Sequence, residues 1–185
     1  GKYNSTLQAI RTELQRVEGL TKEIKEYAQP ISPSPSWHRL PDLLDEIEAA
    51  YASTLEANSI ELETDLGEEA HQIFCDPEHF KRALVNLVEN AIEAIDHEGT
   101  IEVEVRAQNG RTVMEVTDTG DGITPTATDR VFDLFYTTKA SGTGIGLPIV
   151  KKIVDAHQGT VEFLSHSNRD GTSIRLTLPR PERSN

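Results

Sequence analysis

The chain has 185 residues, of which 31 are acidic and 18 are basic, so its formal net charge is −13. This balance argues against nucleic acid or an anionic membrane surface as the ligand, because both are bound by clustered Lys and Arg. Cys75 is the only cysteine, which excludes an intrachain disulfide and favours a cytoplasmic setting. A membrane anchor elsewhere in a larger parent protein is compatible with this composition.

The first 28 residues have the pattern of a long helix with a heptad seam. Apolar or small residues recur at alternating spacings of three and four, namely Leu7, Ile10, Leu14, Val17, Thr21, Ile24 and Ala28. The seam predicts a dimerising or bundle helix over residues 1–29, with packing on its own domain as the alternative. The prolines of PISPSPS then predict a stiff, extended linker over residues 30–36.

An α/β pattern follows, which predicts one domain over residues 37–180 and a tail at 181–185. Helices are predicted at 42–57, from Pro77 to about Asp96 with Asp76 as N-cap, and from Ile145 until Gly159. Strands are predicted at IELETDL, TVEFLSH and TSIRLTLP. A hairpin is predicted around Asn109-Gly110, with Ile101, Val103 and Val105 facing Val113 and Val116.

The helix that starts at Pro77 has one polar face. It carries Arg82, Asn86, Glu89, Asn90 and Glu93 opposite the apolar residues. Asparagine is a poor helix former, so two of them four residues apart in mid-helix need a reason. The face is either a solvated surface or the wall of a cleft, where amide oxygens are available to Mg²⁺ or its waters.

Two glycine-containing segments are further candidates for a ligand site. In DTGDGI, Asp118 either caps a turn or accepts a hydrogen bond from an exocyclic amine. GTGIGL has glycines evenly spaced by two, which fits neither the dinucleotide fingerprint nor the Gly-Lys-Ser/Thr of a P-loop. It leads into a helix whose N terminus suits an anion. The intervening residues 119–143 have no clear period and predict a functional or mobile loop.

The order of four segments carries more information than any one of them. NLVENAIEA, DTGDGI, VFDLFYTTK and GTGIGLPIVKKIVDAHQGTV resemble the N, G1, F and G2 boxes of the ATP-binding domain of sensor histidine kinases, most closely those of the nitrogen-regulation type. The resemblance covers about residues 37–180. It implies the Bergerat fold, an α+β two-layer sandwich in which a mixed, mostly antiparallel sheet backs three helices and a mobile lid covers ATP. Here a long dimerisation-type helix precedes it.

The resemblance also implies roles for individual residues. Asn90 would be the Mg²⁺ ligand, Asn86 would join it near the phosphates as a second catalytic residue, and Asp118 would bind the adenine amino group. Phe132 and Phe135 would anchor the lid. The other implied ATP contacts are Gly120, Gly122 and Ile123 around the base, Lys139, Thr143, Gly144, Ile145, Gly146 and Leu147 at the phosphates, and Thr172, which would reach adenine through water.

Some features depart from the family pattern. Asn86 stands where gyrase-type relatives have a catalytic Glu, which argues against efficient ATP hydrolysis. Glu93 and Ala94 stand where many kinases have a basic and an aromatic residue. None of the six histidines lies in an H box. Residues 2–29 are similar to the second helix of a dimerisation hairpin, so we expect a chain that was cut between the hairpin helices or lost the first one.

The resemblance therefore implies the ATP-binding catalytic region of a two-component sensor histidine kinase. The ATP γ-phosphoryl group would pass to a histidine on the incomplete hairpin and then to a response-regulator aspartate. The implied partners are a receiver domain, a phosphoacceptor-histidine helix and, through the N-terminal helix, a second copy. We expect that the chain alone does not autophosphorylate. The alternatives are a nucleotide-regulated interaction module without phosphotransfer and a Bergerat-type ATPase or serine kinase.

Overall fold

The computed structural model describes residues 2–123, 128–139, 142–164 and 171–182. The described helices are α1 (Lys2–Ala28), α2 (Leu40–Ala57), α3 (Pro77–Ala94) and α4 (Gly146–Ala156). The described strands are β1 (Ser36–Arg39), β2 (Ile60–Leu66), β3 (Gln72–Cys75), β4 (Gly99–Gln108), β5 (Arg111–Asp118), β6 (Thr160–Leu164) and β7 (Thr172–Pro179). Short 3₁₀ helices lie at Glu68–His71 and Thr128–Arg130.

The main sheet has five strands in the order β2-β4-β5-β7-β6. Only the β2–β4 pair of this sheet is parallel, and the other neighbours are antiparallel. One face of the sheet packs on α2, α3 and α4, and a second antiparallel pair, β1 and β3, lies apart from it. This arrangement confirms the predicted α+β sandwich of a mixed, mostly antiparallel sheet and three helices. The sequence reading missed β1 and β3, which are only four residues long.

The hairpin of β4 and β5 has the predicted turn but a corrected core face. Asn109 and Gly110 have φ of 52° and 68°, as the two central residues of a type I′ turn require. In the hairpin, Val105 lies opposite Met114 and Arg106 lies opposite Val113. Since side chains alternate between the two faces of a sheet, Met114 and Val113 lie on opposite faces. Met114 is therefore buried opposite Val105, and the prediction that Val113 faces the apolar residues of β4 is wrong, whereas Val116 lies opposite Val103 as predicted.

The two site-bearing helices start and end for identifiable reasons. The Asp76 side chain caps α3 by accepting a hydrogen bond from the His79 amide, as predicted. At the end of α4, the left-handed residue is Gln158, with φ of 58°, and not Gly159. Gly159 is needed for another reason, because a Cβ there would lie 2.4 Å from the Thr177 carbonyl oxygen.

Among the α1 side chains that the structure describes, those that pack on the domain lie near the C-terminal end of the helix. Leu20 and Tyr27 are partly buried against the core, and the Lys152 ammonium donates to the backbone carbonyls of Tyr27 and Gln29. The predicted heptad seam points to solvent, with Leu7, Ile10, Leu14, Val17 and Ile24 all exposed. None of the helices described is long and apolar enough to cross a membrane.

Candidate functional site

A cavity of about 620 Å³ opens between α3, the end of β5, the segment before α4 and the last turns of α1. Its volume is within the range of small-molecule sites. The polar face of α3 forms one wall, to which all five predicted residues contribute: Arg82, Asn86, Glu89, Asn90 and Glu93. The two asparagines therefore lie on a cleft rather than on an open solvated surface.

Asp118 marks one end of the cavity, which we call the base end. It is the last residue of β5, and its side chain is buried. Oδ1 accepts hydrogen bonds from the amides of Gly120 at 2.9 Å and Thr172 at 3.2 Å. Burial raises the pKa of Asp118, although these two bonds and the positive charge of Lys139 act in the opposite direction. Oδ2 is the second acceptor of this carboxylate.

The surroundings of Asp118 suit a flat, mostly apolar ring that carries an amino group. The apolar side chains of the cavity wall include Ala94, Val116, Ile123, Val131 and Ile174. Val116 and Ile174 lie opposite each other on the two strands that carry Asp118 and Thr172. Gly122 also lines the cavity, and its φ of 73° favours glycine. An apolar wall with one charged acceptor is typical of a site that recognises a nucleobase.

Thr172 and Gly120 flank Asp118 in different ways. Thr172 lines the cavity and pairs with Asp118 across the β5–β7 ladder. Gly120 does not lie on the cavity wall, contrary to the prediction, because it packs against α3, where a Cβ would lie 2.3 Å from the Ala94 carbonyl oxygen. Its role in the site is the amide that holds Asp118.

The other end of the cavity, which we call the phosphate end, brings α3 against the start of α4. A Cβ on Gly146 would lie 3.1 Å from Asn86 Oδ1 and 3.3 Å from Asn90 Nδ2. The Asn86 amide nitrogen donates to the Arg82 carbonyl, which fixes the side chain in this orientation. Asn90 Nδ2 is buried and finds no hydrogen-bond partner among the described residues. Such a group in a native structure points to an absent ligand or water.

The N terminus of α4 faces the phosphate end of the cavity. No side chain caps the helix at Ile145, and Gly146 and Leu147 line the cavity. The first-turn amides of a helix have no partners within the helix and suit an anion. Ile145 itself is fully buried in the core and does not line the cavity, so its predicted contact with phosphate is not supported.

The segment before α4 is closed by a backbone contact that requires glycine. Gly144 has φ of 67°, and a Cβ there would lie 2.6 Å from the Phe135 carbonyl carbon. The Phe135 amide donates to the Gly144 carbonyl at 2.9 Å. Gly142, Thr143 and Gly144 all line the cavity. Residues 124–127 and 140–141 of the predicted loop lie outside the described residues.

The lid residues contribute differently from the prediction. The Lys139 ammonium donates to the Asn90 carbonyl at 2.9 Å and pairs with Glu93 at 3.2 Å. A lid lysine therefore brings positive charge to the position where the family pattern has a basic residue on the helix. Phe135 is 57% exposed and does not act as an apolar anchor, whereas Val131 is buried. Phe135 has φ of 65°, and its backbone rather than its ring holds Gly144.

Three residues of α1 belong to the cavity wall and were missed by the sequence reading: Lys22, Glu23 and Glu26. The Thr143 hydroxyl donates to Glu23 at 2.6 Å, and the Arg82 guanidinium pairs with Glu26 at 2.9 Å. The spacing of the two glutamates places them on one helix face, but nothing in the sequence shows what that face contacts.

The charges around the cavity limit what it binds unaided. Its described lining carries five carboxylates and three cationic side chains. A polyphosphate would therefore need a cation to accompany it. Nowhere in the described part of the chain do three or more His, Cys, Asp or Glu side chains come together as a possible metal site. Protein ligands for a cation would have to include the asparagine amides.

Comparison with known proteins agrees with this geometry. The profile of histidine kinase-, DNA gyrase B- and HSP90-like ATPases matches residues 75–182. The sensor histidine kinase ZraS of Salmonella typhimurium is 30% identical over 180 residues, which are 97% of this chain and 38% of that protein. The chain thus spans about two fifths of the length of this relative.

Solved structures of the histidine kinase ThkA share the fold. Its catalytic domain superposes with a TM-score of 0.72 at 27% identity, covering 80% of this chain and 96% of that domain. ThkA in complex with the response regulator TrrA superposes with a TM-score of 0.79 at 26% identity, covering 94% of this chain and 50% of that one. The profile match includes both ends of the cavity, from Asn86 to Thr172. The chain therefore belongs to the family of histidine kinase-, DNA gyrase B- and HSP90-like ATPases, and its α/β domain is of the histidine kinase type.

Proposed function

We propose that this chain is the ATP-binding catalytic region of a two-component sensor histidine kinase. The observation that carries the proposal is one cavity with a buried carboxylate at one end and, at the other, two helical asparagines against the N terminus of α4. The first end suits an adenine amino group, and the second suits a metal-bound polyphosphate. ZraS and ThkA bear the name histidine kinase.

At the base end, Asp118 Oδ2 accepts a hydrogen bond from the adenine amino group. Gly122 and Ile123 lie beside the ring, and Thr172 lies close enough to Asp118 to share a water with the base. Gly120 acts only through the hydrogen bond that its backbone amide donates to Asp118. Two backbone amides already donate to Oδ1, so the carboxylate is oriented before the nucleotide binds.

At the phosphate end, Thr143, Gly144, Gly146 and Leu147 present backbone and hydroxyl donors, and Lys139 adds a positive charge. Asn90 and Asn86 are the proposed Mg²⁺ ligands through their amide oxygens, directly or through water, because both side chains lie on the cavity wall. Asn90 Nδ2, which lacks a partner in the described structure, is a donor and would serve a phosphate oxygen. When bound, Mg²⁺ would neutralise phosphate charge and fix the orientation of the γ-phosphoryl group.

Transfer of the γ-phosphoryl group requires mainly that ATP and the acceptor histidine be correctly positioned. A histidine nitrogen attacks the γ-phosphorus in line, a P–N bond forms, and the bond to the β-phosphate oxygen breaks. Asn86 stands where a carboxylate would be needed to activate water, so the site holds ATP for transfer rather than hydrolysing it. None of the described histidines lines the cavity, so the acceptor would reach it on another helix.

Two partners follow from this role. The exposed seam of α1, which includes Leu14 at 59% and Val17 at 52% exposure, fits a second hairpin helix and, through it, a second copy of the chain. From the acceptor histidine, the phosphoryl group would pass to an aspartate on a response regulator. The ThkA complex shows a related kinase with such a regulator. We expect the site to work in the cytoplasm.

The proposal is tested with γ-labelled ATP and two forms of the chain, one as it stands and one with an H-box helix fused before α1. We expect Mg²⁺-dependent ATP binding by both forms and an acid-labile, base-stable label only on the fused form. Tight ATP binding with no label on either form would favour the interaction module. Steady, fast release of phosphate would favour an ATPase, and label on the unfused chain would contradict the expectation that it lacks an acceptor.

A further inference from the structure

The last turns of α1 lie across the phosphate end of the cavity with two carboxylates. Glu23 and Glu26 are three residues apart, both line the cavity, and both are partly buried. Each is paired with a group on the domain: the Thr143 hydroxyl donates to Glu23 at 2.6 Å, and the Arg82 guanidinium forms an ion pair with Glu26 at 2.9 Å. Two donors that face the cavity are thus bound by acidic groups of the chain itself.

Those two donors are placed where a nucleotide phosphate needs them. Thr143 lies between glycines of the segment that leads into α4. Arg82 lies one turn before Asn86 on α3, and its side chain is only 27% exposed. Hydroxyl and guanidinium groups bind carboxylate and phosphate oxygens with the same hydrogen-bond geometry. A carboxylate in this position therefore resembles a phosphate oxygen chemically.

Separate contacts on either side of the two glutamates hold this part of the helix in place. Leu20 and Tyr27 are partly buried against the core. The Lys152 ammonium lies 5.0 Å from the centre of the Tyr27 ring and donates to the Gln29 carbonyl at 2.7 Å. These contacts fix the helix independently of Glu23 and Glu26, so the carboxylates are presented to the cavity by a docked helix.

We propose that Glu23 and Glu26 act as phosphate mimics, so that docking of α1 and binding of the ATP polyphosphate oppose each other. A bound polyphosphate would face two additional carboxylates and would find Thr143 and Arg82 already engaged. When α1 leaves, both donors become available to the phosphates. The inference rests on the proposed ATP site, adds the Arg82 guanidinium to its phosphate donors, and places both this group and Thr143 Oγ1 under the control of α1.

Coupling of this kind is reciprocal. If docked α1 lowers the affinity for ATP by some factor, ATP lowers the stability of the docked helix by the same factor. We therefore expect bound Mg·ATP to speed hydrogen exchange of the backbone amides in the last two turns of α1. The amides of α2, which contributes no side chain to the described lining of the cavity, should not change.

The decisive experiment neutralises the two carboxylates without removing their oxygen acceptors. In the full chain, Glu23→Gln/Glu26→Gln keeps an oxygen acceptor beside Thr143 and beside Arg82 and removes only the charge. The matched control is Glu13→Gln/Glu18→Gln, which removes the same charge from exposed positions of α1. By calorimetry with Mg·ATP at low salt, we expect binding to become about tenfold tighter in the first variant and unchanged in the control. High salt should reduce the difference.

Each outcome decides between the two proposals. Equal affinity in both variants and the unaltered chain would overturn the phosphate-mimic inference and leave the ATP site standing. Weaker binding in Glu23→Gln/Glu26→Gln would also overturn it, because the carboxylates would then assist the nucleotide or its metal. If none of the three forms binds ATP, Glu23→Gln/Glu26→Gln included, the proposed function itself fails and the inference fails with it.

Discussion

The two ends of the cavity are built in different ways. At the base end, Asp118 and Thr172 are partners in the β5–β7 ladder, so sheet register alone brings the carboxylate and one of its donors together. At the phosphate end, the donors come from α3 and from the segment before α4, and α1 adds two carboxylates; these three segments are remote in sequence. The carboxylate of the base end and its Thr172 donor are therefore in place once the sheet has formed, whereas the phosphate end depends on how separate segments pack.

The largest effect should come from Asn90→Ala at the phosphate end. We expect Mg²⁺-dependent affinity for ATP to fall by about 100-fold or more, because the variant removes a proposed metal ligand from a site with excess negative charge. Titration calorimetry with and without Mg²⁺ measures this. Asn58→Ala is the control, since Asn58 is an exposed asparagine at the end of α2. A loss that is equally large without Mg²⁺ would argue against a metal role.

A smaller loss is expected from Asp118→Asn at the base end. The Asn oxygen can still accept the Gly120 and Thr172 amides, but Oδ2 becomes an amide nitrogen that donates towards the adenine amino group. We expect about 10- to 100-fold weaker binding of ATP, with no fall in the free energy of unfolding, because a buried charge is removed. The exposed Asp121, in the same motif, provides the control Asp121→Asn.

Asp118 also permits a test by nucleobase exchange. Inosine triphosphate carries an oxygen where ATP has the amino group, so Asp118→Asn should bind it better relative to ATP than the unaltered chain does. In the unaltered chain, affinity for ATP should fall as pH decreases through the raised pKa of Asp118, because the protonated carboxyl loses an acceptor. An unchanged preference between the two nucleotides would contradict the assignment of Asp118 to the base.

The same contrast explains what the sequence could and could not predict. At the base end, the hairpin turn and strand alternation predict that Asp118 ends a strand, whereas Thr172, 54 residues further on, was predicted only from the resemblance to the family. At the phosphate end, only the resemblance to the family, which the order of the motifs carries, predicts that Gly146 lies close to Asn90. The contacts of Glu23 and Glu26 were not predictable, because a heptad pattern shows which face of a helix is apolar and not where the helix docks.

The backbone contact at Gly144 gives a prediction of intermediate size. In Gly144→Ala, the new Cβ would overlap the backbone of Phe135 and Tyr136, so the segment before α4 must move. We expect about tenfold weaker binding of ATP, together with some loss of stability from the positive φ. Gly110→Ala separates the two causes, because Gly110 has φ of 68° with nothing within 4 Å of an added Cβ. It should lose stability but not affinity.

The smallest effect on ATP binding should come from Asp76, which caps α3, the helix that forms one wall of the cavity. Its carboxylate accepts the Ser34 amide at 3.0 Å and caps α3 through the His79 amide at 3.1 Å. Burial alone would raise its pKa, but these bonds and the His79 ring lower it to about 2. Since an unfolded aspartate has a pKa of about 3.9, the bonds stabilise the fold above that pH and are lost as pH falls towards 2.

Asp76→Ala should therefore lower the free energy of unfolding by about 1–2 kcal/mol at pH 7. The difference from the unaltered chain should shrink between pH 4 and pH 2, and urea unfolding at each pH measures it. Asp42→Ala, which removes an exposed carboxylate from the first turn of α2, should cost less because that residue makes no cap hydrogen bond. ATP affinity of folded Asp76→Ala should match the unaltered chain. A marked loss would mean that the cavity depends on the start of α3 as well as on the packing of its middle turns.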